Sequence, residues 1–160
     1  MPDRPALSPG DAAPPFEGVD QNGDTVRLAD FAGRPLALYF YPKDDTPGCT
    51  KQACNLRDHT ADLEDAGVAV VGVSADSVES HAAFADKYDL PFPLLADPDH
   101  EILKAYGAWG EKSFYGKKSV GIKRTTVLIG PEGTVLHVFR RPKTDRHAQE
   151  ILDKLAQTAG

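Results

Sequence analysis

Short apolar runs bounded by turn residues alternate with stretches of helical period along this chain. "GRPLALYFYP" (33–42) is apolar without alternation, which predicts a strand buried on both faces over Leu36–Tyr41. "GVAVVGVSAD" (67–76) reads the same way and is rich in valine. "TTVLIG" and "TVLHVFR" flank Pro131-Glu132-Gly133 and predict an antiparallel hairpin. "GVDQNGDTVRL" predicts a second hairpin near the start, with Asn22-Gly23 at its turn. A short edge strand is expected at Pro93–Leu95.

Helical patterns fall between these runs. Ser77–Tyr88 opens on a serine cap and places Val78, Ala82, Ala85 and Tyr88 on one face. "PDHEILKAYG" predicts a short helix ending at Gly107, and "DRHAQEILDKLAQ" a last one with Ile151, Leu152 and Leu155 inward. Strands alternating with helices, followed by a hairpin and a final helix, predict an α/β architecture: a central mixed sheet flanked by helices.

Length and composition narrow the function. The 160 residues predict one domain over 1–160, and 41% hydrophobic residues are enough for one core. The net charge of −6 removes the basic footprint of a nucleic-acid binder. No run approaches the roughly 20 apolar residues of a membrane span. The first 15 residues carry five of the 13 prolines, which predicts an extended arm. They have no apolar core like that of a signal peptide, so the expected compartment is a reducing cytoplasm. A permanent structural disulfide is then improbable, and the two cysteines are either inert or chemically active.

Both cysteines lie in "DDTPGCTKQACN" (44–55). Thr46 followed by Pro47 is a helix-start signature, a hydroxyl cap and then proline at the first helical position. Cys49 then sits in the first turn, where free N–H groups and the positive helix end favour a thiolate. Gly48 lets a small ligand approach the backbone. Asp44 and Asp45 work against a thiolate if they face the sulfur. With about 100° per residue, Cys49, Ala53, Leu56, Thr60 and Leu63 share one face, and Cys54 lies about 140° away from Cys49. On one helix the two Cα atoms are about 8.7 Å apart. A disulfide needs roughly 7 Å or less. The thiols are therefore either unrelated or joined only when the first turns unwind.

Blander readings exist for each residue. A free cysteine is commonly a small buried hydrophobe. A zinc site using His59 or His81 lacks the paired spacings of known sites, and the five histidines (59, 81, 100, 137 and 147) show no triad spacing. Arg124 alone reads as a surface charge, and Thr46 as a cap. Trp109 either lines a substrate approach or covers the core. Lys112, Lys117 and Lys118 read as a solvated basic loop.

"YFYPKDDTPGCTKQACNLRD" (39–58) resembles the active-site segment of the peroxiredoxins, and within them the bacterioferritin comigratory protein, or PrxQ, subfamily. The family pattern Pro-x-x-x-Thr-x-x-Cys is met by Pro42, Thr46 and Cys49, and the subfamily's second cysteine by Cys54. The likeness extends over about Gly10 to Phe139. It implies a thioredoxin fold with an N-terminal extension, acting as a monomer without metal or organic cofactor. It implies that Cys49 attacks hydrogen peroxide or an alkyl hydroperoxide and that Cys54 resolves the sulfenic acid into an intrachain disulfide. Thioredoxin or a similar dithiol then reduces that disulfide. Thr46 is implied to bind peroxide and sulfur, Arg124 to lie against the thiolate, and Pro42 to shield the site from water. Gln52, where the family varies between Gln and Glu, leaves the preferred peroxide open.

Two other readings stand beside this one. A protein-thiol oxidoreductase needs a C-x-x-C pair and a proline before a strand, which Arg124-Thr125-Thr126 lacks. A redox sensor or chaperone switched by the same disulfide is compatible with the sequence.

Overall fold

The two runs without alternation become the centre of the sheet. The computed structural model describes residues 7–114 and 116–158. Its strands are β1 (Glu17–Val19), β2 (Thr25–Arg27), β3 (Leu36–Phe40), β4 (Ala69–Ser74), β5 (Leu94–Ala96), β6 (Trp109–Phe114), β7 (Lys117–Ile122), β8 (Thr125–Ile129) and β9 (Val135–Phe139). Its helices are α1 (Pro47–Asp58), α2 (Thr60–Asp65), α3 (Val78–Tyr88), α4 (Glu101–Ala105) and α5 (His147–Thr158). Seven strands form one sheet in the order β2-β1-β5-β4-β3-β8-β9. β3 pairs in parallel with β4 and antiparallel with β8, so the expected mixed sheet is present.

Because side chains alternate across a strand, β3 feeds two cores. Leu36, Leu38 and Phe40 join α4, β8 and the N-terminal segment on one face. Ala37 and Tyr39, with Tyr41 just beyond the strand, pack under α1, α2, α3 and α5 on the other. Cys49 belongs to this second core. The segment before β1 is tied down by Gly10 N–H on the Val135 carbonyl (2.8 Å) and an Ala12–Thr134 bridge.

Three expectations need correction. The strand at Pro93–Leu95 is β5, and it is interior: β1 pairs with it at Val19–Ala96, and the Gln21 side chain bonds the Leu94 N–H and the Phe92 carbonyl. The helix starting after Thr46 does not run unbroken. It is interrupted at His59, where Thr60 Oγ1 donates back to the Arg57 carbonyl (2.7 Å) and competes with the helix ladder. The buried face of α3 carries His81, Phe84 and Ala85 rather than Val78 and Ala82. The Ser77 cap is as expected, accepting from Ser80 N–H (3.1 Å).

Strands β6 and β7 form a separate two-stranded ribbon that the polar sequence did not foretell. Lys112, Lys117 and Lys118 lie on it, and their side chains are outside the described residues. Trp109 packs on the core face opposite Cys49 and stacks on His100 at 3.7 Å, which favours its core-covering role. Among the described residues no helix is long and apolar enough to cross a membrane.

His147 joins α5 to the sheet. Its Nε2 lies 2.8 Å from Thr126 Oγ1 and its Nδ1 2.9 Å from Glu150 Oε1. Burial lowers its pKa below the ordinary 6.5, outweighing Glu150, which acts in the opposite direction. The unfolded chain therefore takes up this proton first as pH falls. His147 costs stability from about pH 6.5 downward, until the folded ring itself protonates, with a slope of at most ~1.4 kcal/mol per pH unit. An NMR titration should find His147 neutral at pH 6.5; a ring already charged there contradicts this.

Candidate active site

The end of β3 and the start of α1 build the site. β3 stops before Tyr41 and Pro42, whose ring is half-buried at the turn, and the chain enters α1 at Thr46. Thr46 has extended backbone, as a cap residue should (φ −95°, ψ 157°). Its hydroxyl does not cap the helix, however. It donates to the Lys43 carbonyl at 2.8 Å. The first helical backbone bond is from Thr50 N–H to the Thr46 carbonyl (2.8 Å). The N–H groups of Gly48 and Cys49 thus have no capping side chain and point out of the helix start, where an anion is favoured.

Cys49 is in this first turn and is 1% exposed. The buried stripe of α1 is Cys49, Gln52, Ala53 and Leu56, and Leu63 continues it on α2; Gln52 joins the face that the periodicity predicts, and Thr60, expected on it, is only half-buried. Arg124, between β7 and β8, reaches the same point: its Nη2 donates to Cys49 Sγ at 3.4 Å. The guanidinium is aimed from both sides. Gln52 Oε1 accepts from Nη1 at 2.6 Å, and Gln52 is fully buried. The backbone beside Arg124 is held by Lys123 N–H on the Ala108 carbonyl (2.7 Å) and Thr125 Oγ1 on the Lys123 carbonyl (2.9 Å). Gly48 has a use other than ligand access: a Cβ there would stand 3.1 Å from Arg124 Nη2, so glycine clears the guanidinium's path.

The two acidic residues before the helix do not crowd the sulfur. Asp44 turns inward, accepting from Tyr41 OH (2.5 Å) and Ser80 Oγ (2.8 Å), with His81 Nδ1 at 2.7 Å. Asp45, in the left-handed region at φ 57°, turns outward to Lys87 and Tyr88, whose hydrogen bonds lower its pKa. Burial raises the pKa of both Tyr39 and Tyr41 well above 10.0, so both phenols are neutral beneath the site. Cys54 lies five residues on in α1, half-buried and off the core stripe, and both thiols are free.

Cys49, Arg124 and the helix start are thus brought together, with Thr46 at the cap position, Pro42 at the preceding turn and Cys54 on the same helix. Sequence reasoning did not find Gln52 as the residue that orients Arg124. Its three-residue offset from Cys49 places it one turn on and is the signal that could have found it. Neither His59 nor His81 joins a cysteine in a metal-like cluster. The one such group among the described residues is Asp44, Asp76 and His81.

The chemistry available here is nucleophilic attack by a thiolate with fixed cationic and N–H donors around it. Known proteins resemble the chain in sequence and in fold. Residues 9–138 match the AhpC/TSA family. Peroxiredoxin Bcp of Escherichia coli K12 is 48% identical over 153 residues, covering 96% of this chain and 98% of the relative. The solved bacterioferritin comigratory protein of Xanthomonas campestris, studied for alkyl peroxide reduction, superposes with a TM-score of 0.84 at 37% identity, covering 91% of this chain and 92% of that one. A cysteine-to-serine mutant of PrxQ from Xylella fastidiosa gives 0.89 at 34% identity, over 98% and 100% of the two chains. The mixed sheet is therefore a thioredoxin fold, with β1 and β2 in the N-terminal extension. By family match and by near full-length identity, the chain belongs to the peroxiredoxins of the AhpC/TSA family.

Proposed function

We propose that the protein is a thiol peroxidase that reduces hydrogen peroxide and alkyl hydroperoxides with Cys49 as the attacking sulfur. The observation that carries this reading is the Arg124 guanidinium 3.4 Å from a buried Cys49 Sγ in the first turn of α1. Only a thiolate is a strong nucleophile, and the guanidinium is placed to hydrogen-bond the sulfur's charge during the attack. The thiolate attacks one peroxide oxygen, the O–O bond breaks, and the electron pair leaves with the other oxygen. Cys49 becomes sulfenic acid and the leaving oxygen takes a proton as water or alcohol. The Gly48 and Cys49 N–H groups and Arg124 stabilise the charge that develops on the leaving oxygen. Thr46, whose hydroxyl hydrogen is given to Lys43, has lone pairs left to accept from the peroxide O–H. Pro42 covers the approach from the strand end.

Cys54 is the resolving residue in this reading. Its sulfur attacks the sulfenic sulfur, an S–S bond forms, the S–O bond breaks, and water leaves. Because helical spacing sets the two Cα atoms about 8.7 Å apart, the wound helix prevents this step and α1 must open first. Thioredoxin or a similar dithiol then reduces the disulfide by exchange. We place the enzyme in the cytoplasm, working as a single-domain monomer without a cofactor.

Three variants test these roles. Cys49→Ser should abolish peroxide consumption, and consumption at the wild-type rate contradicts the assignment. With thioredoxin as sole reductant, Cys54→Ser should consume one equivalent of peroxide and stop as a sulfenic acid, detectable with a dimedone adduct; sustained turnover contradicts the resolving role. Arg124→Met should slow the second-order reaction with peroxide by about 10²-fold, measured by stopped flow, and a loss under threefold would contradict its role.

A further inference from the structure

The segment that must open is held at both ends by side chains that neither touch Cys49 nor lie on its route. Upstream, Asp44 is 8% exposed and His81 fully buried. Asp44 Oδ1 accepts from Tyr41, and Oδ2 accepts from Ser80 and faces His81 Nδ1. The Asp44 N–H donates to Asp76 Oδ2 (2.8 Å), which also accepts from Ser74 Oγ (2.6 Å). His81 Nε2 lies 3.0 Å from the Leu95 carbonyl. A carbonyl only accepts, so Nε2 carries a hydrogen, and a further proton lies between Nδ1 and Asp44. Asp44, Asp76 and His81 have the compactness of a metal cluster, within 4.8 Å of one another. Their ligand atoms are already engaged by Tyr41, Ser80, Ser74, the Asp44 N–H and the proton they share, so the group is a clamp and not a cage.

Downstream, Asn55 is joined to the start of α5. Its Nδ2 donates to the Asp145 carbonyl (3.0 Å) and its Oδ1 accepts from Ala148 N–H (2.8 Å). Arg57 Nη1 donates to the Tyr88 carbonyl (2.7 Å). Between the two pins, among the described residues, the long-range side-chain bonds of residues 46–54 run to Arg124 alone, from Cys49 and Gln52. Cys54 stands directly before the downstream pin.

We propose that the buried Asp44–His81 pair is a positioning device: it fixes the upstream end of the peroxidatic segment while Asn55 fixes the downstream end, so that unwinding is confined to residues 46–54. Cys49 is then the sulfur that travels and Cys54 the one that waits. The inference rests on the two-cysteine reading above. Its physical basis is that each pin is fixed by several buried or long-range hydrogen bonds to other elements, whereas the first turns of α1 are fixed by packing on the core and by Arg124, with no further long-range side-chain bond among the described residues. Fixing both ends also limits the freedom gained on opening, which returns Cys49 to Arg124 after each reduction.

Hydrogen exchange on the full chain, before and after one equivalent of hydrogen peroxide, tests this directly. In the disulfide form, amides within 46–54 should exchange fast, while the Asp44 amide, bonded to Asp76, and the Ala148 amide, bonded to Asn55, stay protected. Loss of protection at either pin overturns the proposal. Stopped flow on two variants is the second arm. Asp44→Ala frees the upstream end and should slow sulfenic acid formation by about tenfold without slowing the condensation with Cys54. Asp44→Asn keeps an acceptor for Tyr41 and offers an N–H to a neutral His81 Nδ1, and should restore wild-type rates. Equal slowing of both phases in Asp44→Ala, or no rescue by Asn, overturns the proposal. A wild-type chain that gives no intrachain disulfide removes the two-cysteine reading and this inference together, whereas a disulfide with open pins removes only the inference.

Discussion

The contact between Arg124 and Cys49 is the constraint around which the site is arranged. It requires a cysteine in the first turn of α1, a glycine before it so the guanidinium can pass, and a buried Gln52 to aim the other guanidinium nitrogen. It also requires β8 to lie against β3, because Thr125 pairs with Phe40 and brings Arg124 to the strand end where the helix begins. A hydrogen bond from a charged donor in a water-poor site is stronger than its neutral counterpart. The acidic residues beside the sulfur are compatible with this because each is turned toward α3.

The same helix has two demands that conflict. In the proposed mechanism it is wound when it presents Cys49 to Arg124 and must unwind to bring Cys49 to Cys54. In the proposed account the fold separates them by anchoring Asp44 and Asn55 on either side of residues 46–54. Asp44 and Asn55 spend their polar atoms on α3, α5 and the loop before α5. The exposed Asp45–Lys87 pair adds little to that anchoring, since solvent screens it.

Much of this was legible in the chain. The apolar runs located β3, β4, β8 and β9, and Thr46-Pro47 located the helix start, because these signals are local. What was missed depends on contacts between residues far apart. His81 reads as a polar interruption in α3, and only the fold brings Asp44, 37 residues upstream, to its ring. Thr126 and His147 meet across 21 residues for the same reason. The hydroxyl of Thr46 bonds the Lys43 carbonyl and does not cap the helix, a choice that leaves no trace in the sequence. The β6–β7 ribbon has neither alternation nor an apolar run, and among the described residues only its ends, at Trp109 and Ile122, are seen to join the core, so hydrophobic pattern could not find it.

The central claim is that two thiols of one chain are spent on one peroxide. Free thiols should be counted before and after a single equivalent of hydrogen peroxide, with the size of the product read from a sizing column. Loss of both thiols in a product that remains a single chain is the expected result. Loss of Cys49 alone, or a disulfide joining two chains, would contradict it.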